Sequence, residues 1–332
     1  MTDSIAYQAW RVHEKDGKFV GAEETCRTED LPENEVLIRV SHSSLNYKDA
    51  LSAAGNKGVT RNFPHTPGID AAGEVVDSAA DSPASGETVL VTGYDLGMNT
   101  PGGFGEYIRV PATWCVKMPA AWDARTAMIY GTAGLTAGLC VDKLLRMGLK
   151  PEQGKVIVTG ASGAVGTVAV ELLAKLGFEV VAISGKDSQH EALRNLGASE
   201  IRGRNELDQD RKPLVRPEFA GAVDTVGGAA LAELLKRIKP GGSVSCCGLV
   251  AGTELQTTVL PFILRGVNLL GVDSVEIPAA EKQGIWDKLS GPWRCPKTEA
   301  SARDIVRSEL DSALKAFLAG ESHGKIVLDH KL

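Results

Sequence analysis

Residues 46 to 49, Asn-Tyr-Lys-Asp, set an amide, a phenol, an ammonium and a carboxylate side by side. Such groups steady an oxygen that gains negative charge and pass protons to a neighbouring carbon. Tyr47 offers a ring for contact and a hydroxyl to give a proton. The alternative is an aromatic packed between domains with an ordinary buried hydroxyl. Asn46 and Asp49 are also common turn and capping residues, and Lys48 is expected to face solvent. Arg61, just before Asn62-Phe63-Pro64, suits either an acidic substrate group or an internal carboxylate, the usual partner of a partly buried Arg.

A second set of residues could hold a phosphate. In VIVTGASGAVG (156–166) a β-branched run breaks into Gly160, Gly163 and Gly166, the pattern GxxGxxG. Glycines at that spacing let another group come close to the backbone. The run reads as a strand (155–159), the glycines as a turn, and TVAVELLAKLG as a helix followed by the strand FEVVAIS. A strand–helix–strand unit of this length opens its helix towards a pyrophosphate, where free N–H groups and a partial positive charge meet it. The second strand ends in Ser184, Gly185 and Lys186 rather than in a carboxylate. A carboxylate there holds ribose hydroxyls and repels a 2′-phosphate, whereas a hydroxyl, an open glycine backbone and a Lys attract one. The expected cofactor is therefore NADPH rather than NADH.

These sites need two kinds of scaffold. Up to about Pro119 the chain alternates short β-branched runs (EVLIRVSHSSL, GETVLVTGYDL) with Gly- and Pro-rich turns, which predicts a compact β-rich unit. From Trp122 a helix is expected through DARTAMIYGTAGLTAGLCVDKLLRMG. Strands and helices then alternate: HEALRNLGA as helix, GAVDTV as strand, AALAELLKRIK as helix, with GGSVSCCGLV and VNLLGVDSV as strands. The C-terminal SELDSALKAFLAGESHGKIVLDH reads as a helix and a strand that returns to the first domain. The fold class is thus α/β, a doubly wound parallel sheet plus a β-rich domain.

With 332 residues the chain has room for about two domains. Its formal charge of −6 gives no reason to expect a nucleic-acid partner. No apolar run is long enough for a membrane span, and MTDSIAYQAWRVHEKDG has no signal-peptide pattern, so the expected location is the cytosol. The six cysteines are scattered, form no CxxC, and are expected as buried thiols.

The segments SSLNYKDAL (43–51), RNFPHTPGIDAAGEV (61–75), GTAGLTA (131–137), VTGASGAVG (158–166), AISGKDSQHEALRNLGAS (182–199), DTVGG (224–228), PFILRGVNLLGVDSV (261–275) and GKIVL (324–328) occur in this order. Together they resemble the acryloyl-CoA reductase branch of the medium-chain dehydrogenase/reductases, often labelled quinone oxidoreductase. The resemblance covers nearly the whole chain. It implies a GroES-like catalytic domain built from both chain ends (1–125 and 276–332) around a central Rossmann domain (126–275). It also implies a homodimer, an acyl-CoA substrate, and NADPH-dependent reduction of a conjugated double bond.

The resemblance further assigns residues. Zinc-dependent members carry Gly-His-Glu where this chain has Gly68-Ile69-Asp70, and a Cys near the position of Asn46. Without those ligands a tetrahedral zinc site cannot be assembled, so the expected chemistry is metal-free. The family places Asn46, Tyr47 and Asp49 by the nicotinamide and substrate, with Asn46 as an orienting donor and Asp49 as its support. The cofactor set is Tyr47, Gly160, Ser162, Gly163, Ala164, Val165, Ser184, Gly185, Lys186 and Arg204, with Leu249, Ile263 and Ser274 along the nicotinamide. Core packing is the alternative for Leu249 and Ile263. Ala164 stands where relatives often have Gly, and Lys186 where many have Arg, which keeps charge but loses the bidentate fork. No Asn precedes Gly324-Lys325, so no site residue is carried over there. The rival readings are a quinone or activated-alkene reductase and, from another class, an NADPH-binding sensor without turnover.

Overall fold

A computed structural model describes residues 4–207 and 212–332. In chain order its strands are β1 (Ala6–Lys15), β2 (Lys18–Arg27), β3 (Val36–Ser44), β4 (Asp70–Ser78), β5 (Thr88–Thr92), β6 (Tyr107–Val110), β7 (Val116–Lys117), β8 (Val156–Val158), β9 (Val180–Ile183), β10 (Glu200–Arg202), β11 (Phe219–Asp224), β12 (Ile238–Cys246), β13 (Asn268–Gly271), β14 (Arg303–Ile305) and β15 (Ile326–Asp329). Its helices are α1 (Tyr47–Ala53), α2 (Ala124–Arg146), α3 (Ala164–Lys175), α4 (His190–Leu196), α5 (Gly228–Leu235), α6 (Leu260–Arg265), α7 (Ala279–Leu289), α8 (Pro296–Ser301) and α9 (Leu310–Leu318). Among the described residues no helix is long and apolar enough to cross a membrane.

Contacts divide the chain into two units. The first is Met1–Thr132, Ser274–Gly291 and Ser301–Leu332; the second is Ala133–Asp273 and Pro292–Ala300. Beside the expected bounds, this division places residues 126–132 and 274–275 in the first unit and Pro292–Ala300 in the second. Pro292–Ala300 is tied to the second unit by Glu171 of α3, a buried carboxylate that accepts hydrogen bonds from Lys297 N, Thr298 N and Thr298 Oγ1 at 2.9, 2.7 and 2.7 Å. It thereby satisfies orphan donors in the first turn of α8.

The first unit is β-rich, as its alternating apolar residues require. β1 and β2 form a hairpin closed by Asp16-Gly17, both at positive φ (51° and 72°), the conformation a two-residue hairpin turn needs. The larger sheet has the order β14-β15-β3-β4-β5-β7, with β6 also paired to β3. The chain's last strand does return here: β15 runs antiparallel to β3, with Val327 opposite Ser44. That pairing sets Lys325 beside the end of β3, where Leu45 N donates to Ile326 O at 3.0 Å.

In the second unit six parallel strands follow the order β10-β9-β8-β11-β12-β13. Counted from β8, this is the 3-2-1-4-5-6 order of the dinucleotide-binding fold. β8 and β11 are buried along their whole length, which is why they read as continuous apolar runs rather than alternating ones. The strand order reverses between β8 and β11, and their carboxyl ends are tied together by Thr159 Oγ1 donating to Asp224 Oδ1 at 2.7 Å.

Candidate functional site

In the second unit the glycine turn leaves β8 at this reversal. Gly160 has φ 58°, and a Cβ on it would lie 2.3 Å from Thr225 Oγ1, so only glycine fits. Gly163 is the residue before α3, with Ala164 and Val165 opening the helix. A Cβ at Gly166 would meet the Gly160 carbonyl at 2.3 Å, so that glycine lets α3 press against the turn. α3 is twelve residues long and its first N–H groups have no partner within the helix, which suits an anion.

The end of β9 supplies the rest of the cradle. Ser184 Oγ lies 3.3 Å from Ser162 Oγ and accepts Lys186 N at 3.2 Å. Ser184 N donates to Arg202 O at 3.1 Å, which draws the chain after β10 alongside. Arg204 consequently lies over Gly185: a Cβ there would be 2.6 Å from Arg204 Nε and 3.1 Å from its Cζ. Any residue but glycine at 185 would displace the guanidinium. Arg204 is exposed and pairs with no carboxylate among the described residues, whereas Arg202, two residues earlier, is clasped by Glu200, Glu206 and Glu218. Asp187, the nearest carboxylate to follow Lys186, is turned into solvent, 3.5 Å from His190 Nε2. Gly160, Ser162, Gly163, Ala164, Val165, Ser184, Gly185 and Arg204 thus gather at the carboxyl ends of β8, β9 and β10, with Lys186 beside them.

Leu249 and Ile263 are not core residues: they are 57% and 68% exposed. Asp224, below the turn, accepts Gly227 N at 2.8 Å, and burial raises its pKa. Beside it Cys246 is pushed up to about 11 by burial and by Asp224, so its thiol stays protonated.

In the first unit Tyr47 begins α1 and is 37% exposed, an unusual degree for an aromatic in a packed segment. Behind it the side chains are buried and polar. Asp49 has no exposed surface; its Oδ2 accepts Asn46 N at 2.7 Å, and its Oδ1 accepts Ile69 N at 2.9 Å and Gly68 N at 3.2 Å. Asp70 is equally buried. Its carboxylate accepts Asn46 Nδ2 (2.8 Å), Thr132 N (2.8 Å), Thr132 Oγ1 (2.5 Å) and Ser44 Oγ. Asn46 is thus anchored from both sides, by backbone to Asp49 and by amide to Asp70. Lys325 Nζ, also buried, donates to Tyr130 O at 3.0 Å. Burial raises Asp49 to about 7, with Asp70 adding to the rise, and burial lowers Lys325 to about 8 against the pull of both carboxylates. Beside this cluster Gly131 turns with φ 47° and ψ −157°. Its missing side chain is required there, since a Cβ would lie 2.3 Å from Ser44 Oγ.

The positions that hold zinc in other dehydrogenases have other duties here. Ile69 is buried and offers no lone pair, Asn46 is bonded to Asp70, and Asp70 already accepts four hydrogen bonds. Of the two partners read for Arg61, an internal carboxylate is not found among the described residues, and the residue is exposed. Ser274 is buried in the first unit, on a segment that Lys282 Nζ fixes by donating to Val275 O (3.0 Å) and Thr92 O (2.6 Å). Sequence reasoning passed over Asp70, Ser44, Thr132 and Lys325. Asp70 entered there only as the last residue of the Gly68-Ile69-Asp70 comparison, and Lys325 was set aside with its missing neighbour.

Two family models match the chain: an alcohol dehydrogenase GroES-like domain over residues 32–120 and a zinc-binding dehydrogenase domain over 164–290. A probable acrylyl-CoA reductase of Escherichia coli (strain K12) is 44% identical over 97% of this chain and 99% of its own. The chain belongs to the acrylyl-CoA reductase branch of the medium-chain dehydrogenase/reductases. An acrylyl-CoA reductase of Ruegeria pomeroyi is 42% identical over 95% of this chain and 96% of its own. A putative quinone oxidoreductase of Bacillus subtilis is 43% identical over 92% and 93%. Among solved structures, an oxidoreductase of Salmonella enterica in complex with NADP matches with a TM-score of 0.95 and 42% identity, covering 97% of this chain and 99% of that one. An E. coli K-12 protein with bound NADPH gives 0.93 and 44% over 97% and 99%. A B. subtilis protein with NAD bound gives 0.95 and 40% over 98% and 100%. The GroES-like and Rossmann-type architecture of this reductase family is therefore that of the chain.

Proposed function

We propose that this chain reduces the conjugated C=C of acrylyl-CoA to propionyl-CoA, consuming one NADPH and one proton. The observation that carries the reading is identity of 42–44% along nearly the whole chain to relatives named acrylyl-CoA reductase. The residues present fit the cofactor. The turn at Gly160 and Gly163 and the start of α3 would take the pyrophosphate, and Ser184, Lys186 and the exposed Arg204 over Gly185 would take a 2′-phosphate. NADPH, when bound, supplies the hydride.

The chain's own residues then have two tasks. Negative charge grows on the thioester oxygen as the β-carbon is reduced, and a hydrogen-bond donor there lowers the barrier. Tyr47, exposed and fixed at its backbone by the Asn46–Asp49 bond, is the group assigned to line the nicotinamide and face that charge. No metal takes part, because the side chains at 46, 69 and 70 are apolar or already bonded. The reading includes a homodimer, supported by the exposed apolar Val259 and Leu264 on the central unit, and light scattering tests it.

NADPH oxidation measured side by side with acrylyl-CoA, crotonyl-CoA and a simple quinone tests the substrate. The highest kcat/KM with acrylyl-CoA is expected. A quinone turned over faster than either thioester overturns it in favour of the activity in the B. subtilis relative's name.

A further inference from the structure

Two carboxylates, Asp49 and Asp70, lie with no exposed surface in the first unit, and one ammonium, Lys325, is buried with them. They come from three distant segments: α1, the start of β4 and the residue before β15. Each carboxylate grips the same residue, Asp49 by the Asn46 backbone and Asp70 by the Asn46 amide. Lys325 donates to Tyr130 O, next to the Gly131 turn whose following residue, Thr132, is also held by Asp70. Its interaction with the carboxylates acts through their field, since neither lies in a direct ion pair with it. Like charges buried together oppose each other, and a third charge of opposite sign is what allows both to persist.

We propose that Lys325 is a positioning residue for the reduction: by countering Asp49 and Asp70 it keeps both gripping Asn46, and so fixes the start of the helix that carries Tyr47. The inference rests on the acrylyl-CoA reductase reading above.

Proton uptake by Asp49 breaks this grip wherever the proton lands. On Oδ2 it faces Asn46 N–H; on Oδ1 it faces the N–H groups of Gly68 and Ile69. A donor then confronts a donor. Among charged groups, Asp70 acts to raise Asp49, and Asp70 and Asp49 both act to raise Lys325. Neighbouring elements bring Tyr47 and Lys48 on α1, Tyr130 on α2, and His42 on β3, which faces Asp329 of β15 at 3.6 Å. On α9, packed against α1, Lys315 and Asp311 are exposed and paired at 2.6 Å.

The sign follows. Asp49 must be ionised and Lys325 protonated, so turnover falls as pH drops through the Asp49 value, about 7, and falls again as pH rises through the Lys325 value, about 8. The test is the pH profile of kcat with acrylyl-CoA for wild type, Lys325→Met and Lys325→Arg, with circular dichroism and NADPH binding as fold controls. Lys325→Met removes the counter-charge, so the acid limb should move up by about one pH unit and the alkaline limb should vanish. Lys325→Arg keeps a charge at every pH, so its acid limb should stay near the wild-type position while the alkaline limb disappears. The KM for acrylyl-CoA should change less than kcat. If Lys325→Met does not fold, the double variant Lys325→Met/Asp70→Asn, which removes one charge of each sign, replaces it. That variant should bring the acid limb back to the wild-type position or below. Unmoved limbs in folded variants, with turnover scaling only with the folded fraction, would make Lys325 a structural residue and overturn the proposal. A wild type that oxidises no NADPH with acrylyl-CoA overturns the activity reading itself, and the positioning role falls with it.

Discussion

Arg204 offers the sharpest test of cofactor choice. Its guanidinium lies over Gly185 with no carboxylate partner among the described residues, while Arg202 close by spends its charge on three glutamates. Arg204→Ala removes that charge and leaves the Arg202 cluster in place. A hydrogen bond to a charged group contributes about 1.5–3 kcal/mol. Arg204 is exposed, so screening favours the lower end. About 1.5 kcal/mol corresponds to roughly tenfold in affinity. NADPH should therefore bind roughly tenfold more weakly to the variant, and NADH, which lacks the 2′-phosphate, within about twofold of wild type. Fluorescence titration of both nucleotides at low and high salt reads this directly. The Debye length shrinks from about 8 Å at 0.15 M to about 3 Å at 1 M, so wild-type affinity for NADPH should fall with salt more steeply than that of the variant. Equal losses for NADPH and NADH, or identical salt slopes, would show that Arg204 does not meet the phosphate.

Lys186→Glu should weaken NADPH binding more than NADH binding, because a like charge then faces the phosphate; equal losses in the same titration would remove Lys186 from the site. Tyr47→Phe keeps the ring and removes one hydroxyl. Because solvent can protonate the α-carbon, turnover at saturating NADPH and acrylyl-CoA should fall by less than about tenfold, whereas a loss of about 10²–10⁴-fold would make Tyr47 the general acid. Exhaustive chelation should leave activity intact, given Ile69 and the engaged Asn46 and Asp70; a tightly bound stoichiometric zinc whose removal abolishes turnover would contradict that. Gly131→Ala should lower unfolding stability by about 2–4 kcal/mol in a denaturant titration, since its positive φ disfavours a side chain and the added methyl would meet Ser44 and Asp70. An unchanged midpoint would mean the turn relaxes freely.

The parts legible in the sequence were those encoded locally. The apolar β8 followed by three glycines announces a strand, a turn and a helix, and Ser184-Gly185-Lys186 sits where the next strand must end. The return of β15 to the first unit was expected of the strand after the C-terminal helix, and the family resemblance implied it. What stayed hidden depends on distant segments meeting. Asp70, Ser44, Thr132 and Lys325 lie up to 281 positions apart by number (325 less 44), and only the β3–β15 pairing and the Gly131 turn bring them together. No spacing rule reports that a buried Lys faces two carboxylates. The exposure of Leu249, on a loop, and of Ile263, on α6, was equally invisible, because an exposed apolar residue reads in sequence like one in a core.

The central claim is that the chain moves a hydride from NADPH to the β-carbon of acrylyl-CoA. Incubation of the purified protein with acrylyl-CoA and NADPH deuterated at the transferring position, followed by mass spectrometry, tests it most directly. The account predicts propionyl-CoA carrying one deuterium at the β-carbon, formed one for one with NADP. Deuterium recovered elsewhere, or NADPH oxidised without propionyl-CoA, would contradict it.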